Sequence, residues 1–550
     1  MLQARATQMN WQGRKRFTLF DADYGDGSRC AGIIAQWRAD PARSGQLHII
    51  AIAPDLLPGF HRIPQQDSAV TLDLIALPLL EALVQLMASL DAIRLPHAAG
   101  LDFARPLARI TALGAQLDGA GLNGAQIAAL QAQGFIFNDQ QAVFASRKPR
   151  LPTAASVEKR AIVIGAGLAG SAACERLCAR GWDVTLVERH AGPAMEASGN
   201  RAGIFMPLVS RDDNIPTRLT RTAYLYALRY WDTIGGIGHR IEGAPCGVLQ
   251  LARDPQHAAV QQAIAREMAY PPAFAQWLER TEAEALLGHP APDGGWLFRQ
   301  GGWARPGSVC NAMLEACGAR LTRIFNSGSV TVVRDGALWR VIDANGVTLA
   351  SAATVILANG PAARALQQAA SLPLSAVRGQ VTHLDAATAP ALPLVLCREA
   401  YITPPAHGVC SFGASYDPDP DPALRDSSQQ ANLANIRDLL NDPAIGVGAP
   451  LRGRVGFRCV APDRLPLVGR LADVDAAGGL ERLRDVPRHP GLHALLGYAS
   501  RGLIWAPLAA ELLAAQLGGE PLPLEAKLVD ALDPARFVMR ARRLEKYDNH

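Results

Sequence analysis

The sequence predicts an α/β protein whose two regions each open on a strand–loop–helix–strand unit. Three observations carry this. Residues 160–188 hold an apolar run, three glycines spaced G-x-G-x-x-G, a helical small-residue stretch and a second apolar run ending on an acid. Residues 17–52 repeat the order with a poorer loop. The chain has 550 residues, 49% of them hydrophobic, which is enough for more than one core, since domains usually run ~100–200 residues.

The first region is expected to span 1–150. Phe17-Thr18-Leu19-Phe20 reads as a strand, Asp21 to Gly27 as a loop, and the stretch to about Arg38 as a helix. Leu47 to Ile52 is a second strand, and it runs into Ala53-Pro54 where a ribose-binding acid is expected. Residues 74–132 are rich in Ala, Leu and Gln and read as mostly helical. Gly134 to Phe137 and Gln141 to Phe144 read as a terminal hairpin, and 151–158 as a linker.

The second region, 159–525, begins at the glycine motif. Ala161 to Ile164 reads as a buried strand. Gly165 permits the tight turn, Gly167 lets a pyrophosphate approach the backbone, and Gly170 lets the helix pack on the strand. The helix N-terminus presents free N–H groups to phosphate. Glu188 ends the next strand, near the ~20-residue spacing expected of an acid that binds ribose hydroxyls. In Ala197 to Gly203, small residues allow close approach to a cofactor, and Ser198 and Asn200 offer hydrogen bonds. Thr354 to Leu357 reads as a strand returning to the same sheet, ending at Gly360. Further strands are expected over 376–416, and Gly456-Phe457-Arg458 reads as the opening of a polar turn. Ser500, Arg501 and Gly502 form a glycine turn before an apolar helix, a second place for an anion or cofactor contact.

The remaining signals bound the function. No apolar stretch reaches the ~20 residues that span a bilayer. The nine cysteines form no C-x-x-C pair, so no metal site is expected, and Cys174 and Cys178 sit one helical turn apart. A cytoplasmic protein is the expectation. Net charge is +4, but Arg14-Lys15-Arg16, Arg147 to Arg150 with Lys159-Arg160, and Arg540 to Arg543 are basic clusters. A phosphate-facing surface is one reading of them, and solvated surface is the other. The stretch 526–550 reads as a basic tail.

The order of the second region resembles the D-amino-acid-oxidase-like flavoproteins, which include glycine oxidase and sarcosine oxidase. The resemblance rests on G-x-G-x-x-G, Glu188, the Ala197-to-Gly203 loop, the strand end at Gly360, Gly456-Phe457-Arg458 and Arg501-Gly502-Leu503. It implies an FAD-binding Rossmann-type subdomain with a mixed-sheet substrate subdomain. It also implies FAD contacts from Gly165, Gly167, Gly170, Glu188, Ser198, Asn200, Gly203, Gly360, Ser500, Arg501 and Gly502. By the same resemblance Arg458 grips a substrate carboxylate, with Tyr401 and Tyr416 lining the site and His383 a further polar candidate.

The whole chain resembles a family of bifunctional tRNA-modifying enzymes, through Trp11-Gln12-Gly13-Arg14, Val70 to Leu74, Gln300-Gly-Gly-Trp303, Gly413-Ala-Ser-Tyr416 and Arg464 to Gly469. There a methyltransferase domain using S-adenosylmethionine precedes the FAD-dependent oxidoreductase. The resemblance implies oxidative removal of the carboxymethyl group from 5-carboxymethylaminomethyl-uridine at the tRNA wobble position, then methylation of the amine. A monomer is expected. The alternative is an oxidase of free glycine or sarcosine.

The first region departs from that family where its ligand belongs. Asp23 stands where the first loop glycine is expected, and Ala53 where the ribose acid is expected. Ile93-Arg94-Leu95-Pro96-His97 replaces the L-D-G-F-A-P motif, and Asp102 is a poor substitute for its aspartate. A truncated, Rossmann-like methyltransferase domain is expected, with S-adenosylmethionine a cofactor only if it is still competent.

Overall fold

The computed structural model describes residues 9–98, 100–146, 158–476 and 482–541. The expected linker apart from Glu158, and the basic residues 147–150, lie outside them. The chain forms two compact units, one of residues 1–157 with 514–530 and one of 158–513 with 531–550.

The first unit is built on an eight-stranded sheet. Its order is Gly59–Ile63, Val70–Ala76, Leu47–Ile52, Phe17–Asp21, Leu90–Arg94, Thr111–Asp118, Gln141–Phe144 and Phe135–Asn138. Phe17–Asp21 and Leu47–Ile52 pair in parallel and are buried throughout, which is why their apolar runs do not alternate. Helix Ser28–Ala39 buries Cys30, Ile33 and Trp37. Gln141–Phe144 and Phe135–Asn138 pair antiparallel as the terminal hairpin.

Residues 74–132 are not mostly helical. Only Leu79–Gln85, Ala104–Ile110 and Gly124–Ala132 are α-helices, and Leu90–Arg94 and Thr111–Asp118 are strands of the sheet. Alanine and leucine favour helix on propensity, but Leu90, Ala92, Ile93, Ala115 and Leu117 are buried in the sheet layer. Tertiary burial overrides propensity there.

A buried ionic network lies on this sheet. Arg62 donates to both carboxylate oxygens of Asp73, at 2.8 and 2.7 Å, and to Pro521 O at 2.7 Å. His48 Nε2 lies 2.7 Å from the same carboxylate. Burial alone would raise the Asp73 pKa, but the Arg62 and His48 charges and hydrogen bonds hold it below the ordinary value.

The second unit holds two large sheets. The six-stranded one runs Leu321–Ile324, Asp183–Val187, Arg160–Ile164, Thr354–Leu357, Arg488–Leu496 and Leu467–Ala472. Its first five strands are parallel and the last is antiparallel. The eight-stranded mixed sheet ends on Val409–Gly413, Ser375–Asp385 and Arg452–Val460. Gly456-Phe457-Arg458 does not open a turn. It lies inside Arg452–Val460, which pairs along its whole length with Ser375–Asp385. Cys174 and Cys178 are buried on helix Leu168–Cys178.

Within the stretch 526–550, Ala526–Leu532 is helical. Arg536 is buried and donates to Asp463 at 2.9 and 3.0 Å, and Arg540 donates to it at 2.8 Å. Among the described residues no helix is long and apolar enough to cross a membrane.

Replacing Asp73 by Asn should destabilise the first unit by about 3–5 kcal/mol, because it removes the negative charge that Arg62 bonds through two nitrogens in the buried network. Because the Asp73 pKa is lowered on folding, the wild-type contribution is present at neutral pH and is lost as acid protonates the carboxylate. Thermal unfolding at pH 7 checks this, and an unchanged transition in the variant would mean that the network contributes nothing.

Candidate functional site

The site in the second unit starts from one close contact. A Cβ on Gly170 would overlap the carbonyl oxygen of Gly165 and lie 3.3 Å from Val163 Cγ1. The helix therefore meets the strand at backbone distance. Gly165 has φ +104°, and a Cβ there would sit 2.7 Å from Ala358 O, so the strand ending at Leu357 closes on the same turn. Helix Leu168–Cys178 begins at Gly167 with no side-chain cap. Leu168 N donates to Ser198 Oγ at 3.1 Å, which brings the Ala197–Gly199 turn over the helix N-terminus.

Glu188 is buried at the end of Asp183–Val187. Its carboxylate accepts from Ala166 N at 2.7 Å and from His190 N at 3.0 Å. Both donors are backbone groups, and each oxygen keeps lone-pair capacity for a further donor. Asn359 Oδ1 is buried and has no partner among the described residues. Gly360 takes φ +58°, and a Cβ there would lie 4.0 Å from Cys459. A Cβ on Gly502 would lie 3.1 Å from Leu168 Cδ1, and one on Gly203 2.9 Å from Leu503 Cδ1. The C-terminal turn of Ser500, Arg501 and Gly502 thus meets the glycine turn, with Ser500 exposed and Arg501 half-buried. Burial lowers the Arg501 pKa.

This arrangement fits FAD. A helix N-terminus that opens on glycine, backbone cradles that side chains would fill and an acid at the end of the next strand are what a pyrophosphate-linked dinucleotide requires.

The strand pair beside it carries the charge. Arg452, Arg454, Gly456 and Arg458 fall on one face at period two. Opposite them stand His383, Val381, Gly379 and Val377. Arg458 Nη1 donates to Ser415 O at 3.0 Å, and no carboxylate pairs with this guanidinium among the described residues. Burial lowers its pKa, opposed by Tyr401, Tyr416 and Asp417. Burial pushes the Tyr401 phenol up to about 12, opposed by Arg458. The Arg458 guanidinium carbon lies 5.5 Å from the Tyr416 ring centroid. Burial, then the charges of Arg201 and Arg454, brings the His383 pKa down to about 4, so it is neutral at physiological pH.

Arg454 is the residue that the sequence reading missed. Its guanidinium donates to Asn200 Oδ1 at 3.2 Å, to Met195 O at 2.9 Å and to Glu196 O. It ties the strand to the 195–200 loop. Its signal was the R-x-R-x-G-x-R alternation, which is visible only if 452–458 is read as a strand.

The loop of the first unit is different. Asp21 accepts from Arg29 Nε at 2.7 Å and from Arg94 Nη1 at 2.9 Å, and Arg29 also donates to Asp23 O. A Cβ on Gly27 would lie 2.6 Å from the Tyr24 hydroxyl oxygen. Ala53 is buried. S-adenosylmethionine does not fit this set. Its sulfonium is cationic, two guanidiniums occupy the acid at the strand end, and Ala53 offers no side-chain oxygen. Among the described residues no group of three or more His, Cys, Asp or Glu side chains is arranged to hold a metal ion.

Comparison with known proteins agrees with the geometry of the second unit. The family model described as FAD dependent oxidoreductase matches residues 160–516. The tRNA 5-methylaminomethyl-2-thiouridine biosynthesis bifunctional protein MnmC of Azoarcus sp. (strain BH72) is 38% identical over 582 residues, covering 97% of this chain and 92% of the relative. Its counterpart in Burkholderia thailandensis is 38% identical over 602 residues, with the same shares covered. Among solved structures, iminodiacetate oxidase from Chelativorans sp. BNC1 aligns with TM-score 0.54 and 22% identity, over 66% of this chain and 96% of that one. Glycine oxidase from Bacillus cereus aligns with TM-score 0.53 and 18% identity, over 66% and 95%. These two share the fold. The chain belongs to the family of tRNA 5-methylaminomethyl-2-thiouridine biosynthesis bifunctional proteins, with an FAD-dependent oxidoreductase region over residues 160–516.

Proposed function

We propose that the protein acts on tRNA, removing the carboxymethyl group of 5-carboxymethylaminomethyl-(2-thio)uridine to leave 5-aminomethyl-(2-thio)uridine. The observation that carries this reading is Arg458, a largely desolvated guanidinium held by a backbone carbonyl and facing no carboxylate of its own. A planar guanidinium grips a carboxylate by two parallel hydrogen bonds, and the substrate group ends in one. The relatives are named as tRNA 5-methylaminomethyl-2-thiouridine biosynthesis proteins, which supports the same substrate.

Bound FAD supplies the acceptor for the hydride that leaves the carbon between nitrogen and carboxylate. Arg458 orients that carbon by holding the carboxylate, and Tyr401 and Tyr416 flank the guanidinium. Water then adds to the substrate imine, glyoxylate leaves and the amine stays on the base. Glu188 is assigned to the ribose hydroxyls of FAD. The Gly165–Gly170 turn with Ser198 is assigned to its pyrophosphate. Asn200, Gly203, Gly360, Ser500, Arg501 and Gly502 are assigned to the walls around it. The first unit is assigned no methyl transfer, because its loop does not fit the donor.

Three measurements test these assignments. Glu188→Gln should weaken FAD binding about tenfold or more, the scale of a lost charge-assisted hydrogen bond, in titrations of apoprotein. Unchanged affinity would remove Glu188 from the ribose. Arg458→Ala should lower kcat/KM on tRNA carrying the carboxymethylaminomethyl group by about 30-fold or more, with the flavin still bound. Wild-type protein that oxidises glycine or sarcosine and leaves this tRNA untouched would replace the proposal with a small amino-acid oxidase. Nucleosides from a reaction supplied with S-adenosylmethionine should stop at the aminomethyl product, with no donor binding by calorimetry. A methylaminomethyl product would overturn the assignment of the first unit.

A further inference from the structure

Tyr416 combines features that packing alone does not require. It follows strand Val409–Gly413, and it is 51% exposed although it is a large aromatic. Its backbone is nevertheless fixed. Ser415 O accepts from Arg458 at 3.0 Å, Ser415 Oγ accepts from Gln380 N at 3.1 Å, and Asp417 exchanges backbone hydrogen bonds with Arg378 at 3.0 and 2.8 Å. The donor and acceptor groups of Arg378 and Gln380 belong to the buried strand Ser375–Asp385. The ring therefore stands in solvent on a rigid support.

Two guanidiniums attend it. Arg458 lies 5.5 Å and Arg464 5.9 Å from the ring centroid. Arg464 is exposed, and its neighbour Asp463 is shared by Arg536 and Arg540. Asp463 is thus engaged by other arginines, and Arg464 brings its positive charge beside the ring. An exposed aromatic plane with surrounding arginines is the arrangement that receives an unstacked base.

We infer that Tyr416 is the stacking platform for the uridine whose C5 substituent reaches Arg458, with Arg464 supplying positive charge at its edge. The inference rests on the reading that Arg458 holds the substrate carboxylate. A base extruded from its stack loses π contacts on both faces, and an aromatic ring beside the site replaces one of them. Free glycine or sarcosine has no aromatic face to place there. Tyr416 is thus the residue that separates a nucleotide-borne substrate from a free one bearing the same amine and carboxylate.

The test uses the full-length FAD-loaded protein. Its substrate is tRNA bearing 5-carboxymethylaminomethyluridine, and acetate is the probe of the carboxylate pocket, read by the flavin absorbance change. Tyr416→Ala and Tyr416→Leu should each raise KM for the tRNA about tenfold, with a much smaller effect on kcat. Tyr416→Phe and Tyr416→Trp should hold KM within about twofold, because they keep an aromatic plane. Acetate affinity should fall far less than tRNA affinity in Ala or Leu, because Arg458 keeps its hydrogen bond to Ser415 O when the ring is removed. The inference is overturned if Ala and Leu leave KM unchanged, if Phe is as impaired as Ala, or if acetate affinity falls in step with tRNA affinity. Failure of the underlying reading shows instead in the wild type, as tRNA left unmodified.

Discussion

Everything in the second unit depends on the approach of helix Leu168–Cys178 to strand Arg160–Ile164 at Gly170. No side chain fits between Gly170 and the Gly165 carbonyl. That contact fixes where the helix starts, and so where its free N–H groups point. The other pieces take their places from it. Ser198 reaches Leu168 N, Glu188 reaches Ala166 N, and a Cβ on Gly502 would touch the Leu168 side chain. Segments far apart in sequence converge because each needs the same close turn.

The two acids at the strand ends show what separates a usable nucleotide site from a closed one. Glu188 is held by two backbone N–H groups. Such donors orient a carboxylate without spending its charge on a cation of the protein. Asp21 is gripped by Arg29 and Arg94. Its charge is neutralised from within, and the two side chains take up the space in front of it. Both loops keep glycines at positive φ, since Gly25, Gly27 and Gly165 all adopt it. Positive-φ turns survive in both, but the first loop has Ala53 in place of the ribose acid and its strand-end acid is taken by Arg29 and Arg94.

The sequence made the Gly165 motif legible because its requirements are those of the backbone. A tight turn, a close approach and an acid at a strand end each leave a residue type at a fixed position. The parallel strands Leu90–Arg94 and Thr111–Asp118 were not legible. Their alanines and leucines suit helix as well as sheet, and only the tertiary burial of Leu90, Ala92, Ile93, Ala115 and Leu117 decides between them. Arg458 was legible by its place in a motif, but its surroundings were not. Two glycines at 453 and 456 suggest a turn, whereas here they lie within one long strand. Misreading that strand hid Arg454, which shares its face.

Those strand glycines also explain how the arginines are presented. Gly379 and Gly456 are direct partners across the two strands. A Cβ on Gly379 would fall on the Arg458 guanidinium, and one on Gly456 would lie 3.0 Å from Arg454 Nη1. Two side chains missing from the middle of the sheet face leave a gap. Arg458 and Arg454 lie down into it from either side instead of standing out into solvent. Lying flat, Arg458 is partly desolvated by the sheet; it donates to the Ser415 carbonyl, and the Arg378 carbonyl lies 3.5 Å away. A carbonyl carries a dipole and no net charge, so it orients the guanidinium without neutralising it. The glycine pair thus converts an ordinary surface arginine into a half-buried cation with no carboxylate partner among the described residues.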